Sequence, residues 1–163
     1  MGEKIEAGSP NLSVLSFSIQ TDKQAYRFGE PILLRGTLEN QGDQTLLVNR
    51  KLLVHSSEVQ EGGWGVALKI IAPSGKKIDV GWLYELGSPH ADWFLWLYPR
   101  QGFIYTISGN LWNDIGPRLT EEGTYHITAT YSNFIEKAPG LERWMKPWTG
   151  TVESNTLAID LTK

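Results

Sequence analysis

The stretch LTEEGTYHITATY, Leu119 to Tyr131, decides the reading of this chain. Tyr125, Ile127, Ala129 and Tyr131 alternate with Thr124, His126, Thr128 and Thr130. A period of two, filled with β-branched and aromatic residues, specifies a strand with one face buried and the other wet. His126 falls on the wet face. The chain shows the same alternation on either side of this stretch.

Upstream, Leu15, Phe17 and Ile19 alternate with Ser16, Ser18 and Gln20 in a first strand. Thr21-Asp22-Lys23 leaves it, and Tyr26 to Pro31 makes a turn. The second strand is expected over Ile32 to Glu39, ended by Asn40-Gln41-Gly42-Asp43, a turn on composition. Leu46 to Val54 reads as two short strand pieces or a bent one. Trp64, Val66, Leu68 and Ile70 alternate, and Ala72-Pro73-Ser74-Gly75 turns the chain back into Lys76 to Val80, which predicts a hairpin. Trp82 to Tyr98 is rich in aromatics around a loop at 87–90, and its end, Asp92 to Tyr98, fits a strand or a short helix equally. Phe103, Tyr105 and Ile107 open another strand, and Leu111 to Leu119, with Gly116-Pro117, reads as a loop. Downstream, Ser132 to Lys146 is a long connection, and the last strand is Val152 to Leu161 with Leu157, Ile159 and Leu161 inward. Residues 1–11 are polar and read as a flexible lead-in; residues 12–163 are expected to form one domain. Seven to nine short strands, with no capped helix of ordinary length, predict an all-β antiparallel sandwich.

A chain of 163 residues is long enough to bury a core. Its net charge of −3 and the lack of a long basic run argue against nucleic acid, because phosphate binding needs clustered Lys and Arg. Lys76-Lys77 and Arg50-Lys51 lie at turns or strand ends and read as solvated charges. With no cysteine, disulfides, zinc–thiolate sites and thiol catalysis are excluded. No run of ~18 apolar residues could span a bilayer. The opening MGEKIEAGSP has no apolar stretch and is not expected to be a signal peptide. The compartment therefore stays open, with a periplasmic or extracellular one favoured if an export signal has been removed and a cytoplasmic one otherwise.

Several pieces, in order, resemble bacterial immunoglobulin-like domains. The opening Asp22-Lys23-x-x-Tyr26-x-x-Gly29-Glu30-Pro31-Ile32, followed by Leu38-x-Asn40-x-Gly42-Asp43, is similar to openings in macroglobulin-like and invasin-like domains and in the intracellular proteinase inhibitor of bacilli. Leu97-x-Pro99-x-x-Gly102, Gly123-x-Tyr125 and Trp148-x-Gly150-x-Val152-x-Ser154-Asn155 continue the pattern. Glu121-x-Gly123-x-Tyr125 resembles the tyrosine corner of such sandwiches, where the hydroxyl returns to backbone a few residues upstream. The resemblance implies an immunoglobulin-like β-sandwich serving as an accessory, adhesive or spacer module of an exported protein. Segments 82–98 and 132–148 fall outside that pattern.

No catalytic chemistry stands out. His55, His90 and His126 show no spacing to a Ser nucleophile and a carboxylate, and there is no Gly-x-Ser-x-Gly elbow. Asp22, Glu30, Asp43, Asp79, Asp92 and Asp114 lack the Asp-x-Asp-x-Asp spacing of a calcium loop, and His90-x-Asp92 is a two-residue match. Glu121 and Glu122 are adjacent on a strand approach and point to opposite faces, which rules out a shared proton. No phosphate-binding loop or dinucleotide fingerprint occurs, so no cofactor is expected. The anomaly is tryptophan: there are seven, and Trp82, Trp93, Trp96, Trp144 and Trp148 lie in the two irregular segments. Most are expected to plug the sandwich ends. Those left exposed, with Tyr84, make segments 82–98 and 141–148 the candidate ligand surface. The expectation is a non-enzymatic interaction module with a protein or glycan partner, monomeric or a weak homodimer. The alternatives are a carbohydrate-binding module using Trp93, Trp96 and Trp144, and a proteinase inhibitor presenting loop 132–147.

Overall fold

The computed structural model describes residues 14–52, 54–55, 63–80 and 88–163. The strand foreseen around Tyr125 is the longest-paired element of the chain. This strand, β10 (Gly123–Asn133), lies between β6 (Trp64–Ile71) and β11 (Gly150–Thr162), antiparallel to both. Tyr125, Ile127, Ala129 and Tyr131 are buried, and His126 is exposed. In register with them, Ile70, Leu68 and Val66 of β6 form a second inward row. Three short strands complete this layer: β2 (Ala25–Arg27) parallel to β11, β5 (Val54–His55) parallel to β6, and β7 (Lys77–Ile78) antiparallel to β6 as the foreseen hairpin.

The second layer is β1 (Leu15–Thr21), β3 (Leu34–Asn40) and β9 (Gly102–Ser108), all antiparallel in the order β1-β3-β9. Leu15, Phe17, Ile19, Leu34 and Leu38 share one core with the inward rows of the first layer. The fold is all-β, with antiparallel and mixed sheets and eleven strand segments among the described residues. The expected loop at 111–119 is instead helical: α1 (Leu111–Ile115) is capped by the Asn110 side chain, which accepts from the Asn113 N–H, and buries Leu111 and Ile115. The cap residue and the two-residue apolar spacing were too short a signal beside Gly116-Pro117.

One detail joins the layers. In β11 the register slips opposite Ala129, so that one extra residue must be accommodated. Ser154 Oγ takes up the Ala129 N–H at 2.9 Å. Asn155 is thereby aimed at β1: its Oδ1 accepts from Ile19 N–H at 2.8 Å and its Nδ2 donates to Ile19 C=O at 3.1 Å. A bulge that re-aims one side chain thus splices two sheets through an amide that mimics backbone. Within the second layer, Gly36 of β3 lies beneath two rings from its neighbouring strands. A Cβ there would sit 2.8 Å from Tyr105 and 2.9 Å from Phe17, so only glycine fits.

The β3–β9 ribbon continues as a third, two-stranded sheet of β4 (Leu46–Asn49) and β8 (Phe94–Leu97). Asn40, fully buried, marks the bend between them. Its Nδ2 donates to the carbonyls of Gln44 and Leu97, and its Oδ1 accepts from Gly42 N–H. This ribbon has two apolar faces. Leu46, Val48, Leu95 and Leu97 face the main core, while Leu47 and Phe94 face a second cluster.

Candidate functional site

The second cluster exists because residues 134–149 cross over the β4–β8 sheet as a strap. Ile135 is buried at its start, and Ala138, Leu141 and Met145 pack half-buried onto Leu47, Trp64, Trp93 and Phe94. Two turns shape it, closed by Leu141 N–H to Ala138 C=O and Met145 N–H to Glu142 C=O, each 3.0 Å. Its ends are pinned by buried amides. Asn133 Nδ2 donates to Trp148 C=O at 2.7 Å, and its Oδ1 accepts from Asn49 Nδ2 at 3.2 Å. Trp148 N–H donates to Leu47 C=O at 2.7 Å, where residue 147 forms a parallel bridge to β4. Midway, Ala91 N–H donates to Pro139 C=O at 2.9 Å. At the exit, Gly150 adopts φ +144°, and a Cβ would meet the Trp148 ring at 3.1 Å.

The candidate aromatics separate by position on this frame. Trp93 is 9 % exposed, its ring 4.8 Å from that of Trp64, with the Lys51 ammonium over it at 5.9 Å. It belongs to the second core, on the apolar face of the ribbon. Trp148 is half-buried and stacks on Tyr131 at 5.7 Å, covering the end of the main core. Trp96 continues the strap-facing row begun by Phe94, but it lies beyond the cluster and is 39 % exposed. Trp144, on the strap, lies nearly parallel to it: centroids 6.0 Å apart, planes 9° apart. At 67 % exposure, Trp144 leaves most of its ring to solvent. Trp82 and Tyr84 lie outside the described residues.

The strap also borders a concavity of about 650 Å³. Arg143 and Met145, the neighbours of Trp144 in the chain, both line it. Its polar lining comes from Glu136, Lys137, Glu142, Lys146 and Thr149. Carboxylates and cations alternate along one short segment, a pattern that sequence inspection passed over because no motif carries it. These charges come together only where the turns of the strap fold it around the concavity.

Several of the remaining candidates have structural partners. Asp22 accepts from the Tyr26 hydroxyl at 2.7 Å and from Leu33 N–H at 3.2 Å. The hydroxyl chiefly holds its carboxyl below the usual carboxylate range, against slight burial. Glu30 pairs with Lys23 and accepts from Arg27 N–H, and Lys23 in turn lowers the Glu30 pKa. The Asp22-to-Glu30 motif is thus a self-bonded turn. Asp114 accepts from Ser108, and His90 Nδ1 lies 3.1 Å from Asp92 at the surface. Among the described residues no three His, Cys, Asp or Glu side chains gather as a metal site. The Tyr125 hydroxyl donates to Glu121 C=O at 2.9 Å and accepts its N–H at 3.0 Å, closing the corner into β10. No helix among the described residues is long and apolar enough to cross a membrane. No family model matches the chain, and no curated protein matches it.

Proposed function

We propose that this chain is a non-catalytic binding module of the immunoglobulin-like sandwich class, belonging to a bacterial exported or envelope protein, and that the strap face is its contact surface. The exposed, parallel Trp96–Trp144 pair carries the reading. A Trp left two-thirds open loses the burial that normally stabilises so large a ring, and paired open rings mark recognition surfaces more than structural ones. The strap supports a platform. Its inner side chains are anchored in a second core, so its outer ones are held without ordering on binding. Four inward anchors and two turns suit a platform better than an extended loop offered to a protease cleft. The sandwich assignment is supported by two layers sharing one core and by the Tyr125 corner; the exported setting rests on the sequence resemblance.

The test is retention of the chain on bacterial envelope fractions, compared with Trp144→Ala. Retention that falls at least fivefold in the variant, with an unchanged melting temperature, supports the reading. Equal retention of both proteins removes the strap face as the contact.

A further inference from the structure

Resting on the strap face as a contact surface, we propose that its ligand is a neutral oligosaccharide, stacked on Trp144 and hydrogen-bonded in the adjoining concavity. The volume of about 650 Å³ lies in the range of small-molecule sites. What decides the ligand class is the lining. Glu136 and Glu142 offer only acceptors, while Lys137, Arg143 and Lys146 offer only donors. A sugar hydroxyl donates and accepts at once, so a polyol satisfies both kinds of group in one site. The apolar C–H face of a pyranose complements the electron-rich face of an indole. Trp144 is exposed, and Arg143 and Met145, which flank it in the chain, line the cavity, so a ligand of several units is the kind that would engage both.

The rival chemistries fit less well. A proline-rich peptide stacks on aromatics, but its prolines have no N–H, so Glu136 and Glu142 would be desolvated without donors. A phosphate-bearing ligand would pair with Lys137, Arg143 and Lys146, but it would repel Glu136 and Glu142 and leave them without a donor. A purely apolar partner would leave five charged side chains buried.

The experiment uses the full chain and soluble tetrasaccharides of glucose, xylose, mannose and N-acetylglucosamine, followed by calorimetry and tryptophan fluorescence. At least one is expected to bind saturably with Kd below about 1 mM. Trp144→Ala should weaken that binding about tenfold or more, and Glu142→Gln severalfold, with both variants melting as the parent does. Absence of saturable binding across all four overturns the ligand assignment, as does binding that Trp144→Ala leaves unchanged. Envelope fractions whose sugar rings have been opened by periodate cleavage of their vicinal diols separate this from the broader reading. If they still retain the parent and release Trp144→Ala, the contact surface stands and the oligosaccharide falls. If periodate abolishes retention, the sugar assignment is supported; if Trp144→Ala is retained like the parent throughout, both fall.

Discussion

The hydroxyl of Tyr125 bonds twice to the backbone of Glu121, whereas that of Tyr105 is buried with no partner among the described residues. Removing each hydroxyl should therefore act in opposite directions. Tyr125→Phe strands a carbonyl and an amide and is expected to cost about 1–3 kcal/mol. Tyr105→Phe removes only a desolvated group and should be neutral or stabilising by up to about 1 kcal/mol. Urea unfolding of the two variants checks this, and equal losses would contradict it. Asp22 provides a second contrast. Its folded pKa lies below the unfolded one, so the unfolded state takes up the proton more readily as the solution is acidified. Its contribution is fully present above the unfolded value of about 4 and is lost as pH falls through the folded one. Asp22→Asn should therefore lose less stability than the parent between pH 6 and pH 2.5 in urea titrations; parallel profiles would rule this out. Tyr125 announced its role in the sequence through Glu121-x-Gly123-x-Tyr125. Tyr105 did not, because alternation tells which face a ring takes and nothing of whether its oxygen finds a partner there.

The strap shows which elements were legible. Strands β1 and β10 alternate over about seven residues, so their period could be read directly. The strap has no period; it is fixed by long-range bonds such as Trp148 N–H to Leu47 C=O, between residues distant in the chain. Composition therefore located a tryptophan-rich surface but could not sort Trp93 from Trp144. Their environments predict very different outcomes. Trp93→Ala hollows the second core and should cost about 3–5 kcal/mol. Trp144→Ala removes a largely solvated ring and should stay within about 0.5 kcal/mol of the parent. Thermal unfolding of both proteins tests the separation, and comparable losses would place Trp144 in the core after all. The helical turn at 111–115 escaped notice for the opposite reason: five residues are too few to show a period of 3.6.

At the scale of the molecule, two layers bury one core and the bent β3–β4 and β8–β9 ribbon carries a second apolar face beyond it. That surplus face is why a strap is needed, and among the described residues Trp96 and Trp144 are left exposed on its outer side. Any ligand of this surface depends on that exposure. The direct measurement is fluorine NMR of the chain labelled with 5-fluorotryptophan, in the presence of a soluble gadolinium chelate. Among the described tryptophans the Trp144 resonance should broaden most and Trp96 next, while Trp64 and Trp93 stay sharp. A Trp144 resonance as protected as that of Trp93 would contradict the account.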